Sequence, residues 1–204
     1  MQPFTVLDAK AAPLMRQNVN TDIIIPIHRL RDVAQAELGP YAFEPWRYLP
    51  DGSENPEFFM HQPAYRGAQI VVADNNFACG SSREGAVWAL KGMGIKAVIA
   101  PYFGDIFNNN CFQNGILPVP LPIEEVEQLA DEMKVSPGNA RVTVDLENCV
   151  VISPTGRTIP FKVDARRQHA MLNGLDDIAQ TKSNQDKIEA WQAADKSARP
   201  WVWL

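Results

Sequence analysis

Apolar positions along this chain come in short bursts separated by turn residues. GAQIVVA, residues 67–73, is an apolar run of the length a buried strand needs. DNNFACG, 74–80, is turn chemistry. From Ser81 to Gly94 the period lengthens, and Ala86, Leu90 and Met93 fall on one helical face. KAVIA, 96–100, returns to the strand pattern. Strand, turn, helix, strand predicts parallel neighbours joined by a right-handed crossover.

The same reading extends outward. VNTDIIIPI, 19–27, has a β-branched run closed by Pro26 and predicts a strand followed by a turn. Residues 39–66 are rich in proline, glycine and aromatics and predict a long irregular excursion. DIFNNNCFQNG, 105–115, predicts a short helix with Gly115 placed for a left-handed cap. ILPVPL is a further strand, 123–133 a helix, and short strands follow near 141–145, 149–152 and 157–161. Residues 164–174 predict a helix ending at Gly174, and 184–204 are polar and helical until RPWVWL. The class is mixed α/β, with no internal repeat or low-complexity tract.

Composition narrows the choice. The 204 residues, 46% hydrophobic and 21% charged, suit a single globular domain. A chain of this size buries roughly 70% of its unfolded surface, so its core needs no disulfide or metal staple. No apolar run approaches the roughly 18 residues of a membrane span. The start MQPFTVLDAK has no basic stretch followed by an apolar one, so no signal peptide is expected and the cytoplasm is the expected compartment. A net charge of −5 without a basic stripe weighs against nucleic acid. Cys79, Cys111 and Cys149 lie far apart, and His28, His61 and His169 form no H-E-x-x-H pattern. No local zinc or iron–sulfur ligand set is expected in this chain, and its thiols are expected to be reduced.

The string FACGSSREGAVWAL, 77–90, carries the most chemistry. One reading is structural: Ser81 with Glu84 three residues on matches a capping box. Two details favour a site. Arg83 falls in the first helical turn, beside the positive end of the helix dipole, where a cation is unfavourable unless an anion joins it. Gly80 lets the backbone approach a ligand closely. Backbone N–H groups at a helix start, together with a guanidinium, also stabilise an alkoxide, which is what Ser81 needs to act as a base. A Ser-His-Asp elbow, a dinucleotide fingerprint and a phosphate loop are all missing. Asp22 adds a carboxylate, and HRLR, 28–31, brings Arg29 and Arg31. Joined to Arg83, these arginines would focus positive charge suited to a dicarboxylate.

Four strings together resemble one family. FACGSSRE is similar to the serine loop of the mobile, or swivel, domain of the aconitase superfamily. NVNTDIIIP resembles that domain's Thr-Asp segment, VIAPYFGDIFNNNCFQNGILPV its following strand–helix–strand, and RRQHAMLNGLDDI a segment of the isopropylmalate dehydratase small-subunit branch. They run in order from about residue 16 to 180. The resemblance implies a swivel-type β/α domain over 1–204, with a barrel-like or sandwich sheet flanked by helices and a C-terminal helical extension at about 164–204. It implies a hydro-lyase subunit that interconverts 2- and 3-isopropylmalate by dehydration and rehydration in leucine biosynthesis. A [4Fe–4S] cluster and its cysteines are then expected on a large partner subunit and none on this chain. By position, Ser81 takes the base role and Ser82 and Arg83 bind substrate carboxylate; Arg29, read from the charge of HRLR and not from the resemblance, is a further candidate for substrate binding. Thr21, Asp22 and Gly80 support the site. The family usually carries histidine where Gly85 stands, so a related dehydratase for another malate-like acid, such as a methylated malate or citramalate, stays open. A binding module that kept the anion corner without catalysis stays open as well.

Overall fold

The computed structural model describes residues 1–80, 83–135 and 141–203. Its central strand is β1, Val6–Leu14, which the hydrophobic pattern does not announce because Asp8, Lys10 and Pro13 interrupt it. The other strands are β2 (Ile70–Ala73), β3 (Ala97–Ala100), β4 (Leu117–Pro120), β5 (Arg141–Asp145), β6 (Val150–Ile152) and β7 (Thr158–Pro160). Among the described residues they form one curled seven-stranded sheet in the order β4-β3-β2-β1-β5-β6-β7. β1 to β4 run parallel and β5 to β7 antiparallel. β1 changes partner along its length: Val6 to Lys10 pair with β5, and Ala11 to Leu14 pair with β2. Pro13 therefore sits where the strand has a partner on one side only, a place that tolerates a residue with no N–H.

The helices are α1 (Thr21–Ile24), α2 (Ile27–Asp32), α3 (Glu44–Arg47), α4 (Glu84–Gly92), α5 (Asp105–Asn114), α6 (Ile123–Val135), α7 (Ala165–Leu172), α8 (Asp177–Lys182) and α9 (Gln185–Ala198). All residues of β2 and β3 are buried, as expected of parallel strands covered on both faces. α6 lies across β1, β2 and β3 with Val126, Leu129, Ala130 and Met133 buried. Ala86, Val87, Ala89 and Leu90 of α4 are buried too, so the predicted helical face is the one that packs. The strand–helix–strand reading of 67–100, the helix of 105–114 with left-handed Gly115 after it, and the three late strands are all present.

The expected strand over 19–27 is a correction: the segment forms α1 and the start of α2. Asn20 is the physical reason. Its side-chain oxygen accepts from the Ile23 N–H at 2.9 Å, an N-cap that outweighs the β preference of the isoleucines. Ile24 and Ile25 remain fully buried, so the apolar run serves the core from a helical turn instead of a strand.

The 39–66 excursion is ordered by its contact with α4. A Cβ on Gly39 would collide with the carbonyl of Gly92, and one on Gly92 would stand 2.8 Å from the nitrogen and 2.9 Å from the Cα of Gly39. Both partners are backbone and have no rotamer to yield. Gly39→Ala is therefore expected to cost the upper end of the overpacking range, about 3 kcal/mol. At about 2–4 °C per kcal/mol for a chain this size, the melting temperature falls by about 6–12 °C. A melt that matches the parent chain would show that the two backbones can separate freely.

Candidate active site

The turn at 74–80 connects β2 to α4 and is fixed from two sides. On one side Asn20 bridges Cys79, the Thr21 N–H donates to the Cys79 carbonyl at 3.1 Å, and Asn76 Nδ2 donates to Asn18 Oδ1 at 2.7 Å. On the other, the Phe77 N–H donates to the Tyr102 carbonyl and the Gly104 N–H to the Phe77 carbonyl, both at 3.0 Å. Phe77 itself is buried edge-on against Phe107. Asn76, Ala78 and Gly80 all have positive φ, at 62°, 57° and 90°. Only Gly80 adopts this without steric penalty, which accounts for glycine just before the two serines.

Ser81 and Ser82, the expected base and carboxylate contact, lie outside the described residues. The helix that follows them does correct the capping-box reading. α4 starts at Glu84 with Arg83 as N-cap, in extended backbone at φ −128° and ψ 114°. Glu84 is thus the first helical residue rather than the third, and its carboxylate accepts from Asn114 Nδ2 at 2.9 Å. Arg83 likewise sits at the cap and not inside the first turn. Its Nη1 donates to Asp22 Oδ1 on α1. The conflict between a cation and the helix dipole is relieved by a carboxylate of the chain itself. The Arg83 side chain is 17% exposed and that of Asp22 54% exposed, so the pair stands at the protein surface with its acidic partner outermost.

Thr21 and Asp22 therefore join the serine turn from the first turn of a helix, with Thr21 buried. Arg29 has ties of its own. Its Nε and Nη2 donate to the two carboxylate oxygens of Glu44 at 2.9 and 2.5 Å, and its guanidinium lies 4.2 Å from the centroid of the Tyr41 ring. The two-point hydrogen bond holds the Glu44 carboxyl below its usual range. The tie is complete above the unfolded-state pKa and is lost as pH falls through the lower folded-state value. Arg31 pairs with its neighbour Asp32. Glu44 and Tyr41 carried no sequence signal, because the excursion that holds them has no periodicity. Asn20 did carry one: an Asn directly before Thr-Asp is an N-cap pattern.

Among the described residues no three of His, Cys, Asp and Glu come together as a metal site. Cys111 is sealed in the core, and burial pushes its thiol well above the usual range. Residues from α5, α7 and α8, including Arg166, Arg167, Asp176 and Asp177, line a groove of about 810 Å³; none of them belongs to α1 or the 74–80 turn.

A Thr-Asp turn that holds Cys79 and Arg83, beside a parallel sheet that curls into antiparallel strands, fits the swivel-type β/α fold of the aconitase class. The family model described as Aconitase C-terminal domain matches residues 1–124, and a second, LeuD_N, matches 127–165. The 3-isopropylmalate dehydratase small subunit of Dinoroseobacter shibae is 50% identical over 202 residues, 99% of this chain and 100% of that one. That of Gluconacetobacter diazotrophicus is 50% identical over 98% of this chain and 97% of its own length. The crystal structure of 3-isopropylmalate dehydratase (leuD) from Methanocaldococcus jannaschii superposes with a TM-score of 0.65 at 26% identity, covering 92% of this chain and 99% of that one. The chain belongs to the 3-isopropylmalate dehydratase small-subunit family.

Proposed function

We propose that this chain is the small subunit of a hydro-lyase that interconverts 2- and 3-isopropylmalate in leucine biosynthesis, active only with a large subunit. The observation that carries the reading is full-length identity near 50% to such small subunits, joined to a clasped arginine beside the serine pair. We read residues 1–204 as one swivel-type unit with its C-terminal helices as an extension, working in the cytoplasm with neither nucleic acid nor membrane as partner. Among the described residues no helix is long and apolar enough to cross a membrane.

In this reading the large subunit carries the [4Fe–4S] cluster, which supplies Lewis-acid chemistry at the departing hydroxyl. The rest falls to this chain. Arg83 and Ser82 bind a substrate carboxylate, Ser81 takes the proton from the neighbouring carbon, and Asp22, Thr21 and Gly80 hold that corner in shape. Asp22 keeps the Arg83 guanidinium aimed and charge-balanced until a substrate carboxylate arrives, and an arginine fork suits that ligand. Arg29, on α2, lies in the segment that faces the substrate's variable group.

The test is co-production with the large subunit under anaerobic conditions, followed by a screen of substituted malates. Interconversion of the isopropylmalates is expected from the pair and from neither chain alone. Preference for a methylated malate or citramalate would move the assignment to a paralogue, a reading favoured by Gly85 alone; no turnover on any malate would leave a binding module. Exchange of residues 28–31 is expected to change the ranking of malates by about tenfold or more. An equal loss on every malate would mark the segment as structural.

A further inference from the structure

α2 is a six-residue helix with no fully buried residue. Arg29 lies over the Tyr41 ring, 4.2 Å from its centroid. Arg29 also ties α2 to Glu44, and Leu30 of α2 packs against the core. The Leu30 side chain occupies the place where any residue but glycine at position 85 would put its Cβ. A Cβ there would collide with Leu30 Cδ2 and stand 2.7 Å from Cδ1 and 3.1 Å from Cγ. With both methyls and the branching carbon involved, a small rotation brings no relief; the isobutyl end must leave the cradle. Gly85 is buried and lies in the first turn of α4, two residues after Arg83.

We infer that Gly85 is a positioning residue: its missing side chain seats Leu30 of α2 against the first turn of α4 and so fixes the distance between the substrate-selecting segment and the carboxylate-binding Arg83. This rests on the dehydratase reading above and adds to it the element that sets the space for the substrate's variable group. A histidine or alanine at 85 and Leu30 in its present position exclude each other. The glycine thus trades a side chain at the helix start for closer approach of α2. Because Leu30 is a side chain able to swing outward, the consequence falls on the placement of α2 more than on global stability, in contrast to the backbone contact of Gly39 with Gly92.

The experiment uses the two-chain enzyme with Gly85→Ala, Leu30→Ala and the double variant, assayed on 2-isopropylmalate and on a methyl-substituted malate, with hydrogen exchange read on residues 26–33. Gly85→Ala is expected to raise KM for one of the two malates about tenfold, with kcat within about threefold, and so to shift the ratio of their kcat/KM values about tenfold. Exchange across 26–33 is expected to quicken in the same variant. In the Leu30→Ala background the added methyl at 85 has nothing to displace, so both effects are expected to vanish there. An unchanged ratio, unchanged exchange, or an equal effect in both backgrounds would overturn the inference. If Gly85→Ala does not fold, Leu30→Ala and Leu30→Met in the native background decide: alanine shifts the ratio and methionine, which refills the cradle, recovers most of it, whereas identical ratios would overturn the inference. Parent enzyme inactive on both malates, with large subunit bound, would sink the dehydratase reading itself and this inference with it.

Discussion

Ser81→Ala in the reconstituted two-chain enzyme is expected to lower turnover by about a thousandfold or more while the apparent affinity for substrate stays within a few-fold, because the group removed acts in proton transfer. The stability of the variant separates this from a capping role. A Ser N-cap contributes about 1 kcal/mol, and its loss to alanine is regained with Asn or Asp. α4 begins at Glu84 with Arg83 as its N-cap residue, so the helix start does not call on Ser81 in that role. The melting temperature of Ser81→Ala is therefore expected to stay close to that of the parent, and Ser81→Asn is expected to restore nothing. Steady-state kinetics beside thermal melts give both readouts. A folded Ser81→Ala enzyme with near-normal turnover would remove the base assignment.

Arg83→Lys is expected to act on a different parameter. The ammonium keeps the charge beside Asp22 but loses the planar fork that grips a carboxylate at two points. KM should rise by about ten- to a hundredfold, with a smaller change in kcat. Asp22→Asn serves as the companion variant, since it leaves the guanidinium intact and removes what aims it. Its rise in KM should be smaller, and it should be relieved in part at lower ionic strength, where the freed arginine attracts an anionic substrate more strongly. Equal kinetics for Arg83→Lys and the parent enzyme would show that the arginine serves only to hold α1.

Much of this was readable from side-chain pattern. The strand–helix–strand unit over 67–100 is legible because an apolar run, a turn cluster and a 3.6-residue period follow one another without overlap. The clasp of Arg83 by Asp22 is only half legible: both residues stand out, but the salt bridge spans 61 positions and depends on a capped turn at Asn20. β1 escaped because Asp8, Lys10 and Pro13 break its apolar pattern, and because Ala11 and Ala12, fully buried beside β2, do not advertise a strand. The IIIP run misled for the opposite reason: β-branched residues favour strands on average, and one asparagine reverses the outcome locally. Arg29 is visible as a charge, while its commitment to Glu44 and Tyr41 depends on the path of an excursion that pattern does not specify. Gly85 is visible as an anomaly in a helix, and only the position of Leu30 supplies its physical cause.

The divided pairing of β1 also bears on how the chain acquires its structure. The strand's second half waits for Ile70 to Ala73, and its first half for Arg141 to Asp145. Both contacts close long loops, so the native topology has many sequence-distant pairings, and such chains fold slowly. During synthesis the parallel half has its strands in hand once β4 has emerged, whereas the free edge of β1 from Val6 to Lys10 has no partner until residue 145 follows. For that interval an open strand edge is offered to any other nascent chain, the exposure through which larger proteins aggregate. The interval ends when β5 emerges and pairs with Val6 to Lys10, which turns the exposed edge into an interior strand of the sheet.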